Sequence, residues 1–397
     1  MDRHLHGSIN EFGRSARRLW SLDGAGVFLN HGSFGACAIA VQDELDSIRR
    51  EYSENPEEFF RRRVMPDSSD SEIRKAADEL GAFVGAAGEN IALVENATSG
   101  IQSVLQSVPL HAGDEILITD HQYRAVRLAV ELRCRETGAI PRVVTVPIPA
   151  HHAEVIDRIS SAASSRVKLA IIDHITSATA LLFPMRAIVA ELHGHGIPVL
   201  VDGAHGVGQI GLDMEALGAD WYVSNAHKWL FAPPGTAFLY ASRQRASFTR
   251  CIVTSHFVDL GFPRAFDYVG TRDYCNWLAV PAAIAFWRQL DGERLRTHNA
   301  KLIQAASEQL GGLGARPICE IGMCANMRAF VLPQRRPAEA SDASKFRDAL
   351  WDEERIQVAA GVFADRLLIR ISAQAYVDGD DIAKLCTTLA RRGWPGR

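Results

Sequence analysis

Two residues of this chain have side chains that could carry covalent chemistry on an amino acid. Asp202 follows the apolar residues 199–201, and Lys228 lies 26 positions later, within the segment 224–229. A lysine amine can form a Schiff base with an aldehyde, and an acid at the end of a buried strand can keep a pyridine nitrogen protonated. Together the two residues predict a site for pyridoxal phosphate (PLP), whose ring draws electrons from the substrate α-carbon.

Each of these residues also has a simpler explanation. A single lysine is usually a solvated surface group, and an aspartate after a strand often caps a helix. The spacing favours the functional interpretation, because it leaves room for a helix near 214–217 and a strand near 221–223. These elements would return Lys228 to the sheet edge where Asp202 lies, so that both side chains face one ligand.

Length and composition are typical of a soluble enzyme. The chain has 397 residues, 47% hydrophobic and 23% charged, which is enough for a large core and a smaller second domain. The net charge is −4 without a long run of one sign, so we expect no nucleic-acid partner; the cluster 61–63 is a solvated helix face or a local anion contact. No apolar run approaches the roughly 20 residues of a membrane span, and residues 1–6 lack a signal-peptide core. We therefore expect a cytoplasmic protein without a membrane partner.

The cysteines and histidines do not indicate a metal site. Seven cysteines are scattered without the paired spacing of zinc ligands, and an odd number does not suit a disulfide framework. The 14 histidines are equally dispersed. We predict reduced cysteines and no metal.

Apolar, β-branched runs alternate with helical patterns over much of the chain and predict a mostly parallel, seven-stranded α/β sheet. The predicted strands are 91–94, 115–118, 142–146, 169–172, 198–201, 222–223 and 237–240. A long helical stretch follows at 281–310, and later strands at 329–332 and 366–372 predict a smaller C-terminal α+β domain. The predicted division is an N-terminal segment 1–25, a large domain 26–285 and a small domain 286–397.

Further polar residues follow two other predicted strands, at the sheet edge where α/β proteins bind ligands. Residues 95–101 open a helix, so their amides and the helix dipole offer a phosphate site that includes Thr98, although Thr98 and Ser99 could instead be ordinary helix caps. Tyr123 could lay its ring on the face of the cofactor, or it could be a loop aromatic that covers the core.

Several of these segments together resemble a known family. The chain resembles PLP-dependent fold-type I proteins of the class V aminotransferase family, and within them the isopenicillin N epimerase-like branch. The most specific segments are residues 30–35, 202–205, 225–230, 232–238, 270–273 and 370–376.

The resemblance implies roles for individual residues. Lys228 would carry the cofactor and move protons, Asp202 would pair with the pyridine nitrogen, and His205 would contact the ring oxygen. Gly270 and Thr271 would reach the phosphate of the other subunit's cofactor, which implies a homodimer with a shared active site. The other implied cofactor contacts are Tyr123 at the ring, Ser177, and the phosphate-binding residues Ala97, Thr98, Asn225 and His227.

The same resemblance implies a substrate site for a small amino-acid-type molecule. Arg370 could bind the α-carboxylate through two parallel hydrogen bonds, with Asn30 and His31 beside it, although an arginine on a strand could also simply reach solvent. His31 and Tyr123 are candidates for a second proton-transferring group. Tyrosine has a reference pKa of about 10, against about 6.5 for histidine, which makes it the poorer proton shuttle at neutral pH.

The reaction is the least specified feature. Residues 356–364, expected to be a loop, contain no cysteine, which argues against a persulfide-forming desulfurase. Epimerisation at the α-carbon is the first hypothesis. A carbon–sulfur lyase or decarboxylating deaminase acting on a cysteine conjugate is the alternative, and a non-catalytic binding protein is the third; the intact Lys228 and Asp202 argue against the last.

Overall fold

A computed structural model describes residues 9, 11–67 and 71–393 of the chain. Residues 1–6, and with them part of the predicted N-terminal segment 1–25, lie outside the described residues. The described residues form thirteen strands: β1 Val27–Phe28, β2 Ile91–Val94, β3 Glu115–Thr119, β4 Ile140–Val144, β5 Val167–Asp173, β6 Val199–Asp202, β7 Trp221–Ser224, β8 Ala237–Ala241, β9 Arg316–Pro317, β10 Met327–Val331, β11 Ile356–Gln357, β12 Ala359–Phe363 and β13 Arg366–Ser372.

The described residues also form seventeen α-helices: α1 His31–Phe34, α2 Ile39–Glu54, α3 Pro56–Phe59, α4 Glu72–Val84, α5 Ala97–Ser107, α6 Arg124–Thr137, α7 His152–Ser161, α8 Met185–Gly194, α9 Met214–Leu217, α10 Ala226–Trp229, α11 Arg243–Ala246, α12 Arg264–Asp267, α13 Cys275–Leu278, α14 Val280–Gln289, α15 Gly292–Gly312, α16 Ala340–Glu354 and α17 Gly379–Arg391. Short 3-10 helices cover Arg14–Leu19, Gly88–Asn90, Val258–Leu260 and Ile321–Met323, and a π-helical turn covers Phe60–Val64. No helix of the described part is long and apolar enough to cross a membrane.

The largest sheet has seven strands in the order β2-β8-β7-β6-β5-β3-β4. Strand β8 is antiparallel to both of its neighbours, and the other neighbouring strands pair in parallel. Six strands therefore point the same way, and their carboxyl ends lie along one edge. The mostly parallel, seven-stranded α/β sheet predicted from the sequence is confirmed.

Helices cover both faces of this sheet, which explains why its strands are continuously apolar. Along β6, Val199 and Val201 join one hydrophobic cluster, whereas Leu200 points to the other face and joins a second cluster. The edge strand β4 lies two residues earlier than predicted. Because β4 is largely open to solvent, its hydrophobic pattern is weak and does not define its ends.

A second sheet lies in the C-terminal part and has the antiparallel order β12-β13-β10-β9. The expectation of a loop at 356–364 is wrong, because β11 and β12 occupy most of that segment. The strand β12 is a half-buried edge strand that begins with the small residues Ala359, Ala360 and Gly361. Because these residues are not β-branched, the sequence pattern did not predict a strand here.

The predicted helical stretch at 281–310 is two helices, α14 and α15. They are separated at Asp291, whose side chain caps α15 by accepting a hydrogen bond from the amide of Arg294. The short strand β1 lies within the range predicted for the large domain but pairs with β11 of the C-terminal part. The predicted domain limits stay predictions.

Candidate active site

A cavity of about 500 Å³ opens at the carboxyl ends of the parallel strands. Four neighbouring strands deliver side chains to it: β7 leads to Lys228, β6 ends at Asp202, β5 ends at Asp173, and β3 leads to Tyr123. The sequence-predicted residues that line it are Ala97, Thr98, Tyr123, Ser177, Asp202, His205, Asn225, His227 and Lys228. Residues from five separated segments of the chain therefore meet in one space.

Lys228 takes part in a short chain of hydrogen bonds with two aromatic residues. Its Nζ lies 3.2 Å from Nε2 of His205, and Nδ1 of His205 accepts a hydrogen bond from the indole Nε1 of Trp229 at 3.3 Å. An indole nitrogen only donates, so Nδ1 of a neutral His205 is unprotonated and its proton sits on Nε2. Burial, followed by the charge of Lys228, holds the pKa of His205 well below its usual range, so the ring is neutral. His205 therefore donates to Lys228, which accepts as an uncharged amine.

The electrostatic surroundings of Lys228 agree with this assignment. Burial, followed by the positive charge of Arg370, lowers the pKa of Lys228 to about 7, and Asp202 opposes that change. At neutral pH a large fraction of the amine is uncharged. That is the form that attacks an aldehyde and accepts a proton.

The backbone around Lys228 is held by the loop that precedes α2. Gly35 has a φ of 74°, and a Cβ atom at this position would lie 2.0 Å from the carbonyl oxygen of His227. Only glycine allows this close approach. Gly35 therefore has a packing role, because it lets the loop lie directly on the lysine-bearing turn.

Asp202 is a buried acid at the floor of the cavity. Its Oδ1 accepts a hydrogen bond from the amide of Ala204 at 3.0 Å. Burial raises its pKa, while the Ala204 amide and the charge of Lys228 oppose that rise. A carboxyl with these two opposing partners can stay ionised and hold a positively charged nitrogen next to it.

The amino end of α5 forms an anion cradle. Asn96 caps the helix, with Oδ1 accepting from the amide of Ser99 at 2.9 Å, so the cap is neither Thr98 nor Ser99. The amide of Ala97 donates to Oδ1 of Asn225 at 2.8 Å. Because that side-chain atom accepts, the NH₂ group of Asn225 is available to donate to a phosphate oxygen, beside Thr98.

His227 lies in the same cradle and is neutral in the free site. Its Nδ1 donates to the carbonyl oxygen of Thr236 at 2.9 Å, which leaves Nε2 as the titrating atom. Burial, followed by the charge of Lys228, lowers the pKa of His227 to about 4. His227 can donate to a phosphate from Nε2 only if it takes up a proton when the anion binds.

Arg370 lies on β13 and is held by residues from two other parts of the chain. Its guanidinium donates to the carbonyl oxygen of Ser177, to Oγ of Ser33 at 3.0 Å and to Oδ1 of Asn30 at 3.2 Å. Burial lowers its pKa to about 10, so it remains charged at neutral pH. Arg370 and Asn30 are not among the cavity-lining residues, whereas Ser33 and Ser177 are. Asn30 thus contacts the arginine rather than the cavity.

His31 has both ring nitrogens engaged away from the cavity. Nε2 donates to the carbonyl oxygen of Lys228 at 2.8 Å, and Nδ1 accepts from the hydroxyl of Tyr376 at 2.7 Å. Burial lowers the pKa of His31 to about 3, so the ring stays neutral. The geometry favours a structural role, in which His31 ties the lysine turn to the C-terminal part, over the proton transfer and substrate contact predicted from the sequence.

The remaining predicted residues lie at or beyond the mouth of the cavity. Tyr123 is 47% exposed and lines the opening. Gly270 and Thr271 are exposed and do not line this cavity. The next residue, Arg272, forms an ion pair with Glu95, directly before the anion cradle, and so fixes the 270–273 segment beside it.

Sequence reasoning did not single out two cavity residues that the structure identifies. Phe34, at the mouth, is 82% exposed. Asp173 ends β5 in the register position opposite Asp202 on β6. The signal for Asp173 was present, since it directly follows the predicted strand 169–172 just as Asp202 follows 199–201.

The chain is similar to enzymes of two named activities. Isopenicillin N epimerase of Amycolatopsis lactamdurans is 31% identical, and the match covers 94% of this chain and 97% of that protein. The probable chloroplastic L-cysteine desulfhydrase of Arabidopsis thaliana is 30% identical, with 83% of this chain and 73% of that protein covered.

Solved structures share the fold at low sequence identity. A cysteine desulfurase from Thermococcus onnurineus NA1 aligns with a TM-score of 0.80 and 16% identity over 96% of this chain and 98% of that chain. A C-DES variant with glycine covalently linked to its PLP cofactor aligns with a TM-score of 0.76 and 21% identity over 94% of this chain and 98% of that chain. The family model for class-V aminotransferases matches residues 36–384. The chain therefore belongs to the class-V aminotransferase family, and its cofactor is PLP.

Proposed function

We propose that this PLP enzyme epimerises the α-carbon of a small amino-acid-type substrate, with Lys228 and Tyr123 as the two proton-transferring groups. The observation that supports this most directly is the arrangement of these side chains around one cavity. Lys228 follows β7 and Tyr123 follows β3, with the carboxyl ends of β6 and β5 between them. A substrate held above β6 and β5 can thus be approached by one group from each side, as inversion requires.

The cavity residues fit the cofactor. Asp202 is a buried acid suited to a protonated ring nitrogen, Lys228 is an amine with a pKa near 7, and Thr98, Asn225 and His227 surround an anion cradle. When bound, PLP supplies an electron sink for the α-carbon. His205 would donate from Nε2 to the ring oxygen once Lys228 no longer accepts that hydrogen bond.

Arg370 is the proposed binding group for the substrate carboxylate. Its guanidinium is oriented by Asn30, Ser33 and Ser177, and the last two line the cavity, so a carboxylate that replaces one of these contacts binds with little loss of conformational entropy. Holding the carboxylate fixes which bond of the α-carbon is aligned for cleavage. In this proposal Asn30 acts through the arginine, and His31 acts through the backbone of Lys228.

A carbon–sulfur lyase is the second candidate, and a specific observation favours it. Both nitrogens of His31 are engaged, whereas Lys228 is a cavity base whose pKa is lowered to about 7. Removal of an α-proton followed by loss of a β-substituent needs one such base. The similarity to L-cysteine desulfhydrases supports this alternative.

We also propose that the active unit is a homodimer. The segment between α11 and α12 exposes the apolar side chains of Ile252, Val253, Val258 and Leu260, and Phe34 is exposed at the cavity mouth. A second copy would cover this apolar surface. The exposed Gly270 and Thr271 would then face the partner's phosphate cradle. Equilibrium sedimentation tests this proposal, and a monomer that keeps PLP and full activity would contradict it.

The reaction is tested by proton NMR in heavy water. Purified, PLP-loaded protein is incubated with isopenicillin N, simple L-amino acids and cysteine S-conjugates. Exchange of the α-proton with accumulation of the opposite epimer supports the proposal. Loss of the side chain, or release of ammonia or carbon dioxide, supports a lyase or deaminase instead.

The Tyr123→Phe variant separates the two proton-transferring groups. We expect it to exchange the α-proton of the starting epimer through Lys228 while forming much less of the opposite epimer. Tyr240→Phe, which changes a tyrosine of β8 outside the cavity, is the matched control. Unchanged epimer formation in Tyr123→Phe would remove Tyr123 from the mechanism.

A further inference from the structure

Asp173 is a second buried acid in the cofactor cavity. It is the last residue of β5 and the register partner of Asp202, the last residue of β6. The two residues are 2% and 3% exposed, and both line the cavity. Neighbouring strands are about 4.8 Å apart, and paired residues of parallel strands project to the same side. The two buried carboxyls therefore lie side by side in the cavity.

Their hydrogen-bond partners differ. Asp202 accepts from the amide of Ala204 and lies in the field of Lys228. Asp173 is approached by the main-chain amide of Tyr123, but its Oδ2 is buried without a hydrogen-bond partner among the described residues. An ionised oxygen in that position would be desolvated, unpaired and next to a like charge. A neutral carboxyl removes the like-charge repulsion and most of the desolvation cost.

We propose that Asp173 and Asp202 form a carboxyl pair that carries one proton and one negative charge. Asp173 is the neutral member and a positioning residue. Asp202 is the charged member, which would pair with the ring nitrogen of PLP. By holding the proton, Asp173 leaves a single charge at the cavity floor and presents an O–H donor beside Asp202. Its contact with the Tyr123 amide also connects Tyr123 to the pair.

The other ionisable groups around the pair agree with this distribution. Burial, followed by the charge of Asp202, raises the pKa of Asp173 well above its usual range. Lys228 from α10 favours the negative charge on Asp202, whereas Arg370 of β13 is engaged by Ser177. His205 is neutral and bonded to Lys228.

Two further groups pack next to these strand ends without offering a proton to Asp173. The hydroxyl of Tyr222 on β7 bonds to Nδ1 of His174 at 3.0 Å, and burial raises the pKa of Tyr222 well above its usual range. Burial lowers the pKa of His174 to about 4, so His174 is uncharged at neutral pH. Neither Tyr222 nor His174 therefore supplies the proton that the carboxyl pair carries.

The first test uses the full-length protein freed of PLP. The infrared difference between wild type and Asp173→Asn at pH 7 should contain the carbonyl band of a neutral carboxyl, and this band should shift in heavy water. Any carboxyl band of the buried Asp267, which lies outside the cavity, is the same in both proteins and cancels in the difference spectrum. Absence of the neutral-carboxyl band would overturn the inference.

The second test asks whether the two acids interact. In Asp202→Asn the neighbouring charge is gone, so Asp173 should lose its proton at a pH lower by one unit or more, a change of at least about tenfold in proton affinity. An isolated structural acid would keep its titration midpoint, and that result would overturn the pair. Because this variant retains Asp173, its titration decides between the two outcomes even if Asp173→Asn fails to fold.

A third readout uses the absorbance of the bound cofactor. Ionisation of Asp173 in the PLP-bound wild type should change this absorbance at alkaline pH, and Asp173→Asn, which has no ionisable group at this position, should lack that transition. A transition that persists unchanged would contradict the role of Asp173. The inference holds for either proposed reaction, because the infrared titration requires neither cofactor nor substrate, whereas the NMR assay decides epimerase against lyase.

Discussion

Replacing Trp229 by phenylalanine should make Lys228 a stronger base and a poorer nucleophile at neutral pH. The indole Nε1 donates to Nδ1 of His205 and so keeps the imidazole proton on Nε2, facing the lysine. Without this donor the proton can move to Nδ1, and Nε2 can then accept from a lysine ammonium. The variant therefore stabilises the charged form of Lys228.

The size of the effect follows from one hydrogen bond. A hydrogen bond to a charged group contributes roughly 1.5–3 kcal/mol, and about 1.36 kcal/mol corresponds to one pKa unit. The pKa of Lys228, about 7 in the wild type, should thus rise by about one to two units in Trp229→Phe. At pH 7 the uncharged fraction falls from about half to about a tenth or less, so PLP capture slows about fivefold or more.

The assay is the rate at which the absorbance band of bound PLP forms on mixing with cofactor-free protein, measured from pH 6 to 10. The ionisations of PLP itself are common to all proteins and cancel in the comparison. Trp221→Phe is the matched control, because it also removes one buried indole donor, to Thr249, but outside the cavity. A rate midpoint in Trp229→Phe equal to that of the wild type would refute the assigned direction of the His205–Lys228 hydrogen bond.

Three further predictions concern single side chains of the site. Lys228→Ala should lose the borohydride-reducible attachment of PLP seen by mass spectrometry, whereas the exposed Lys301→Ala should keep it; attachment in Lys228→Ala would mean that another lysine carries the cofactor. Arg370→Lys keeps the charge but loses the fork, so KM should rise by about tenfold or more, while the exposed Arg366→Lys on the same strand should leave KM unchanged. The pKa of His227 is about 4 in the free site. Binding of inorganic phosphate should therefore take up a proton and weaken as pH rises, and calorimetry in buffers of different ionisation heat should find less proton uptake in His227→Asn. Equal uptake in both proteins would remove His227 from the phosphate site.

The long, buried elements of the large sheet could be predicted because their signals are local. Continuous apolar strands followed by polar residues define both the sheet and its ligand-binding edge, and this pattern is enough to identify Asp202 and Lys228. The short strands β1, β9, β11 and β12 could not be predicted in this way. Each is half-exposed or only two residues long, and such strands depend on their partners rather than on their own hydrophobic pattern.

The roles of the site residues divide in a similar way. The strand-end pattern points to Thr98, whereas the grouping of Thr98 with Asn225 and His227 at the phosphate follows from the family resemblance. His31 and Asn30 could not be assigned in this way, since their partners Tyr376 and Arg370 are more than 300 residues away. Asp173 follows its predicted strand just as Asp202 does, but one acid suffices for the cofactor, and the significance of the second depends on its lying opposite Asp202.

The sequence by itself determined the covalent chemistry that is available: a lysine, an acid and an anion cradle, each placed directly after a strand by short-range patterns. Only the tertiary structure decided the state of those groups. Burial and neighbouring charges set the pKa of Lys228 near 7, the Trp229 donor selected the tautomer of His205, and the strand register put two carboxyls side by side. These properties depend on distances between residues far apart in the chain, and electrostatic energies in a buried site change steeply with such distances.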